Sequence, residues 1–338
     1  MRKIKSLLLA SSLLAGSSFA ASAEVNVVAS IKPVHSLVAA VMEGVGEPGL
    51  IVEGAGSPHT YALKPSQAQM LEQANVVFWI GHELEAFLEK PVETLAANAK
   101  SVELIDAHDL IKLEFREGGA FDAHEHDHEE VKADDHDHDH DHDHGKTAEA
   151  SHDHDHDHDD DHAHGAFDAH VWLDPMNAKA MVHEIEEALV AADPDNAGQY
   201  EANAEAVMAK LDGLMTEVSA ELESVKGKGF IVFHDAYQYF ETRFGVTASG
   251  SITVSPEVMP GAERVTEIRA KIQELGAACV FSEPQFEPKL IATVTEGTNA
   301  NSGVIDPLGA ALEDGPELYF DLIRGMASSV KTCLSKAS

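Results

Sequence analysis

The chain is poor in positive charge. Its 338 residues carry 23 Lys and Arg against 59 Asp and Glu, for a formal net charge of −36. Without basic clusters it has nothing to track a phosphate backbone or to hold an anionic lipid surface. There are only two cysteines, Cys279 and Cys333, far apart and without CxxC spacing, so a reactive thiol pair is not indicated. No apolar run approaches the ~20 residues needed to cross a bilayer, which argues against direct membrane insertion. Walker A and GxSxG patterns are absent. His183-Glu184 begins like a metalloprotease HExxH, but Glu187 stands where the second histidine is required.

What is present begins with an export signal. Arg2, Lys3 and Lys5 precede a short apolar run over 4–14, and Ala21-Ser22-Ala23 fits a small-residue cleavage site. No cysteine near that point could accept a lipid. The expectation is a soluble protein exported to a bacterial periplasm, with its signal removed after about Ala23. In such an oxidising compartment Cys279 and Cys333 are expected to pair, and closing so long a loop contributes ~4 kcal/mol on the chain-entropy model.

The most conspicuous stretch runs from His124 to His164. It holds 14 of the 21 histidines, interleaved with Asp. Between 121 and 168 lie 19 acids and 2 lysines, nearly half of the negative charge in one seventh of the length. It has no apolar periodicity and reads as a disordered insert over 121–166. Imidazoles beside carboxylates are the donors that capture divalent transition metals. His136, His138, His140, His142, His144, His152, His154, His156 and His158 are candidate weak, accessory metal ligands.

The rest alternates strands and helices, an α/β pattern. Strands are predicted near 25–30, 50–52, 75–80 and 102–105, with helices over 33–44, 66–73 (capped by Ser66) and 83–94. After the insert, a helix over 177–192 leads into a long one from the Asp193-Pro194 start to about 226. Tyr200, Val207, Leu211, Leu214, Val218, Leu222 and Val225 keep one face of that helix. A second series follows, with strands near 229–233, 251–254, 278–282 and 303–305. Its helices are predicted over 237–244, 262–275, 289–299 and 318–334. The expected organisation is a signal segment 1–23, an N-terminal lobe 24–192, a rigid linking helix 193–227 and a C-terminal lobe 228–338. Both lobes should carry mainly parallel sheets, with a ligand cleft between them.

Ligands of open βα sheets sit beyond the carboxyl ends of strands. His59, His170 and His234 occupy such positions, and Asp306 follows the strand in VIDPLG. Alone, each histidine reads as a hydrogen-bonded structural residue. Together they make a plausible three-imidazole site, suited to Zn²⁺, that an Asp or a water could complete. His35, His82, His108 and His183 read as structural or surface residues.

The motifs GSPHTYALKPSQAQML, DAHVWLDP, FHDAYQYF, EPQF and DPLG resemble those of metal-binding periplasmic solute-binding proteins, most closely the ZnuA-type zinc-uptake family. The resemblance spans essentially the whole mature chain. It implies a non-enzymatic monomer of two lobes joined by a rigid helix, carrying one Zn²⁺ as transported ligand to an inner-membrane ABC permease and its ATPase. It assigns His59, His170 and His234 as zinc ligands. Asp306 matches a carboxylate ligand of manganese members and is the candidate fourth ligand. Manganese members have glutamate where His234 stands, and an imidazole-rich set favours zinc over manganese. A manganese-type receptor, a periplasmic zinc hydrolase and a metal buffer acting through the insert alone are the competing readings.

Overall fold

A computed structural model describes residues 25–116, 121, 167–253, 261–286 and 289–336. The proposed signal segment and the Asp/His tract lie outside the described residues. The first series comprises β1 (Val27–Ala29), α1 (Lys32–Val41), β2 (Gly49–Leu50), α2 (Pro65–Gln73), β3 (Val76–Trp79), α3 (Glu89–Leu95) and β4 (Lys100–Glu103). Its strands form one parallel sheet in the order β2-β1-β3-β4. After α4 (Pro175–Ala192) and α5 (Ala197–Leu222) come β5 (Phe230–His234), α6 (Gln238–Phe244), β6 (Ala248–Thr253), α7 (Ala262–Leu275), β7 (Cys279–Ser282), α8 (Lys289–Thr295), β8 (Asn301–Val304) and α9 (Leu318–Lys336). The second parallel sheet has the order β6-β5-β7-β8. The molecule is thus two α/β lobes of one plan, joined through a long helix.

Helix starts follow local chemistry. Asp174 caps α4, its side chain accepting the Met176 N–H at 2.8 Å, with Pro175 in the first turn. The start of α2 differs from expectation: Lys64 is the cap, not Ser66. Pro65 opens the helix, and Gln67 Oε1 reaches back to the Lys64 N–H at 2.9 Å. Helix α3 starts six residues later than predicted. Pro91 has no N–H to give and fits only a first turn, so the helix begins just ahead of it, and 82–88 stay in turns.

The linking helix is shorter than its apolar stripe suggests. Its 26 α-helical residues span about 39 Å, with 3₁₀ turns at Pro194–Asn196 and Glu223–Val225 on either side. Tyr200, Ala204, Val207, Leu211, Leu214, Val218 and Leu222 are its buried face. They pack on α4 and α1 of the first lobe and on α9 of the second. Truncating a buried leucine such as Leu211 to alanine removes about 2–5 kcal/mol.

One continuous core therefore runs through both lobes. Strand β5 shows how the second lobe joins it. Phe230 and Val232 face the shared core, while Ile231 and Phe233 face a smaller one with Ile268, Ile272, Ile291 and Val294. That is the period of two expected for a strand buried on both faces. The Cys279–Cys333 disulfide ties β7 to α9.

Polar fasteners reinforce the contact near the cleft. The Arg116 guanidinium pairs with Asp235 and Glu241 of the second lobe. Tyr239 Oη accepts the Leu113 N–H at 2.9 Å and donates to the Asp168 carbonyl at 2.8 Å. Arg243 forks onto Asp174, and Trp172 Nε1 donates to the Pro307 carbonyl at 2.8 Å. The two roots of the insert, bridged by Glu114 and Phe167, are thereby held against β5 and α6.

Candidate metal centre

Three backbone segments deliver the histidines. His59 stands in the loop after β2, behind Ser57-Pro58. His170 precedes a 3₁₀ turn, Val171–Leu173, that leads into α4. His234 is the last residue of β5. His170 and His234 are buried, and His59 is half-buried at the rim.

The rings converge. His170 Nε2 lies 3.3 Å from His59 Nε2 and 3.3 Å from His234 Nε2. Among the described residues this is the one group of three or more His, Cys, Asp or Glu with ligand atoms within 4.8 Å of one another. An ion about 2.0–2.1 Å from two nitrogens, with a tetrahedral angle between them, sets those nitrogens about 3.3 Å apart. The spacing matches zinc.

Carboxylates fix the ring orientations. His170 Nδ1 donates to Asp168 Oδ1 at 2.7 Å, and the same oxygen accepts the His170 backbone N–H at 3.0 Å. His234 Nδ1 donates to Glu283 Oε1 at 2.7 Å. With the protons on Nδ1, both Nε2 lone pairs face the centre. Lone pairs meeting at such distances repel one another, and a cation relieves that. Two carboxylates also match the charge of one divalent ion.

The environment moves the imidazoles apart in proton affinity. Burial, then the neighbouring rings of His170 and His234, holds His59 well below the ordinary 6.5. Burial also pulls on His234, but the charge and hydrogen bond of Glu283 outweigh it and leave this residue above 6.5. Trp172 packs against the His170 ring at 5.3 Å, and Phe286 against His234 at 6.0 Å. The space enclosed is about 10 Å³, room for one small ion or water and too little for an organic solute.

Asp306 is not in the converging group. Its Oδ1 accepts from Leu308 N–H (3.1 Å), Gly309 N–H (3.0 Å) and Gln285 Nε2 (3.0 Å), and its Oδ2 accepts from Ala310 N–H at 2.6 Å. It closes the DPLG turn. The nine accessory histidines between His136 and His158 lie outside the described residues. His35 is buried against the Pro48 carbonyl, His82 is half-buried beside Glu83, and His108 and His183 are exposed. Asp168 and Glu283 were not singled out from sequence. The available signals were a carboxylate two positions before His170 and another directly after a predicted strand.

The chain matches the family model described as zinc-uptake complex component A, periplasmic, over residues 27–333. It is 60% identical over 339 residues to the high-affinity zinc uptake system protein ZnuA of Brucella suis biovar 1 (strain 1330), covering 99% of this chain and 100% of that protein. The ZnuA of Paracoccus denitrificans (strain Pd 1222) is 42% identical, with 91% of each chain covered. In fold, the chain superposes on a crystal structure of ZnuA with a TM-score of 0.70 at 22% identity, covering 92% of this chain and all of that one. No helix among the described residues is long and apolar enough to cross a membrane. The convergence of three imidazoles between two parallel-sheet lobes and the match across nearly the whole sequence lead to one conclusion: this chain belongs to the ZnuA family, the periplasmic component A of zinc-uptake complexes.

Proposed function

We propose that His59, His170 and His234 together hold one Zn²⁺ as cargo, and that the protein hands it to an inner-membrane ABC permease driven by its ATPase. The family makes the protein a solute-binding component of zinc uptake and not an enzyme. The chain then acts as an exported monomer, its signal removed after about Ala23. The observation that carries the ligand assignment is the 3.3 Å separation of Nε2 atoms whose partner nitrogens are bonded to carboxylates. An all-nitrogen set supports zinc over manganese, which prefers oxygen donors. Asp306 serves the turn below the site, leaving the fourth position to water. The Asp/His tract gathers zinc at several weak, exchangeable sites and raises its supply to the cleft.

Calorimetry on the mature chain lacking residues 124–164 tests the assignment. One tight Zn²⁺ per molecule is expected, and it should vanish in His59→Ala and His234→Ala variants. Loss of all tight binding on deleting the tract would refute it, as would manganese binding more tightly than zinc.

A further inference from the structure

Lys32 is a buried cation that has no part in the ligand set. It opens α1 of the first lobe and is 4% exposed, yet its charged end serves the second lobe. Its Nζ donates to the Leu312 carbonyl at 2.7 Å and meets Asp314 Oδ1 at 3.1 Å. Taking an ammonium out of water is costly, and an apolar side chain of similar volume often packs as well or better. A lysine here calls for a reason beyond packing.

Its partners supply one. Leu312 and Asp314 lie on the segment between β8 and α9. That segment begins with the Asp306 turn, and its Pro307 and Leu308 line the cavity of the three histidines. It is one wall of the metal centre, and it belongs to the second lobe. The first-lobe side grips it at two places, Trp172 at the Pro307 carbonyl and Lys32 further along. Neither Lys32 nor Asp314 lines the cavity. With about 10 Å³ inside, the centre is too small for an ion with its water shell, so a wall must give way when zinc passes.

We propose that Lys32 is a positioning residue for zinc exchange: by tying the 306–314 wall to the first lobe, it sets how fast the ion enters and leaves. The proposal rests on the assignment of the three histidines as ligands. Lys32 touches no ligand, so it acts on the barrier and not on the bound state. Loosening the wall speeds entry and exit by the same factor, because their ratio is set by end states that the tie does not contact. Loss of a contact that orients a ligand acts differently, weakening affinity chiefly through exit. Asp314, with its side chain 49% exposed, is the end of the tie that solvent reaches.

Stopped-flow kinetics test this. The full mature chain, loaded with one equivalent of Zn²⁺, is mixed with excess chelator. The release phase absent from the His59→Ala protein belongs to the centre. Entry is followed by the fluorescence of Trp172, whose ring lies 5.3 Å from that of His170. In Lys32→Met, which keeps the bulk and removes the charge, both rate constants should rise about tenfold, the effect of losing a charge-assisted hydrogen bond, with Kd held within about twofold. Asp314→Ala, a change at an exposed side chain, should raise both rates by a smaller factor, and it decides the matter alone if Lys32→Met does not fold. Lys179→Met, which loses an ion pair with Asp212 between α4 and α5, should match the wild type. Wild-type rates in both Lys32→Met and Asp314→Ala would overturn the proposal and leave Lys32 a stabilising contact only. Faster exit with unchanged entry would also overturn it, since the effect would then lie in the bound state. A rise in Lys179→Met equal to that in Lys32→Met would do the same. If the wild type shows no release phase beyond that of the His59→Ala protein, the ligand assignment itself fails, and the proposal with it.

Discussion

The two lobes solve the same local problem with different outcomes. Their sheets have equivalent strand orders, β2-β1-β3-β4 and β6-β5-β7-β8. In each, a glutamate that follows the third strand bonds to a side chain at the end of the first. In the N-terminal lobe the Ser30 hydroxyl donates to Glu85 Oε1, and the Ile80 and Gly81 amides, both at 3.1 Å, satisfy Oε2. Gly81 turns its amide that way with a φ of 150°, open to glycine. In the C-terminal lobe the donor is His234, and Glu283 Oε1 accepts from it. A carboxyl group with both oxygens engaged is a strut. The same arrangement with a serine replaced by an imidazole becomes part of a binding site.

Substitutions can break this contrast. Removing an imidazole should have the largest effect: His234→Ala, His170→Ala or His59→Ala is expected to weaken tight zinc binding more than about a hundredfold, since outer partners alone account for 10–100-fold. Ser30→Ala should leave zinc stoichiometry at one by calorimetry. Next is the covalent tie that only the C-terminal lobe has. Replacing Cys279 and Cys333 by serine should lower unfolding stability by about 4 kcal/mol in denaturant titration, the loop spanning 54 residues. The paired glutamates come third. Glu85→Ala orphans two buried amides and should cost roughly 2 kcal/mol of stability while one zinc still binds. Glu283→Ala should instead reduce zinc affinity by about 10–100-fold. If the two variants lose the same property, the contrast is wrong.

The smallest effect is one of pH. Protons compete with zinc for neutral imidazole. His234 lies above its ordinary 6.5 because Glu283 outweighs its burial, so on acidification competition starts there, above pH 6.5. His59, held well below that value, is protonated after His234. Zinc affinity measured by chelator competition should therefore decline in steps as pH falls, the first of them above 6.5. A first step lying below that value would contradict the ordering.

Periodicity carried most of the fold. Helix α7 has the bounds its apolar pattern predicts, 262–275, because Gly276 stops it in a left-handed conformation with a φ of 56°. The stripe of α5 named its own buried face, but a stripe does not distinguish an α-turn from a 3₁₀-turn, so the helix ends came out too long. The three histidines were legible as strand-end residues supported by motif resemblance. Their carboxylate partners were not. Glu283 is one of 59 acids, and its distinction is a hydrogen bond to His234, which exists only after folding. Asp306 offered the same strand-end cue as a ligand. Its Asp-Pro-Leu-Gly context was the better guide, since an aspartate there accepts from its own turn. What lies across the cleft from a residue is not recorded in its neighbours along the chain.

The core shared by the lobes also decides how the protein should melt. A helix whose buried face is packed by helices of both lobes leaves neither lobe able to unfold without exposing the other, so a single cooperative transition is expected. Any ion that binds the native state alone then stabilises the whole molecule by linkage, about 4 kcal/mol at a free concentration a thousandfold above Kd. Zinc held by three side chains would raise the melting temperature of helices far from it. The calorimetric enthalpy and the van't Hoff enthalpy should agree with and without the metal. Occupancy of a cleft of atomic size becomes readable as the heat stability of the entire chain.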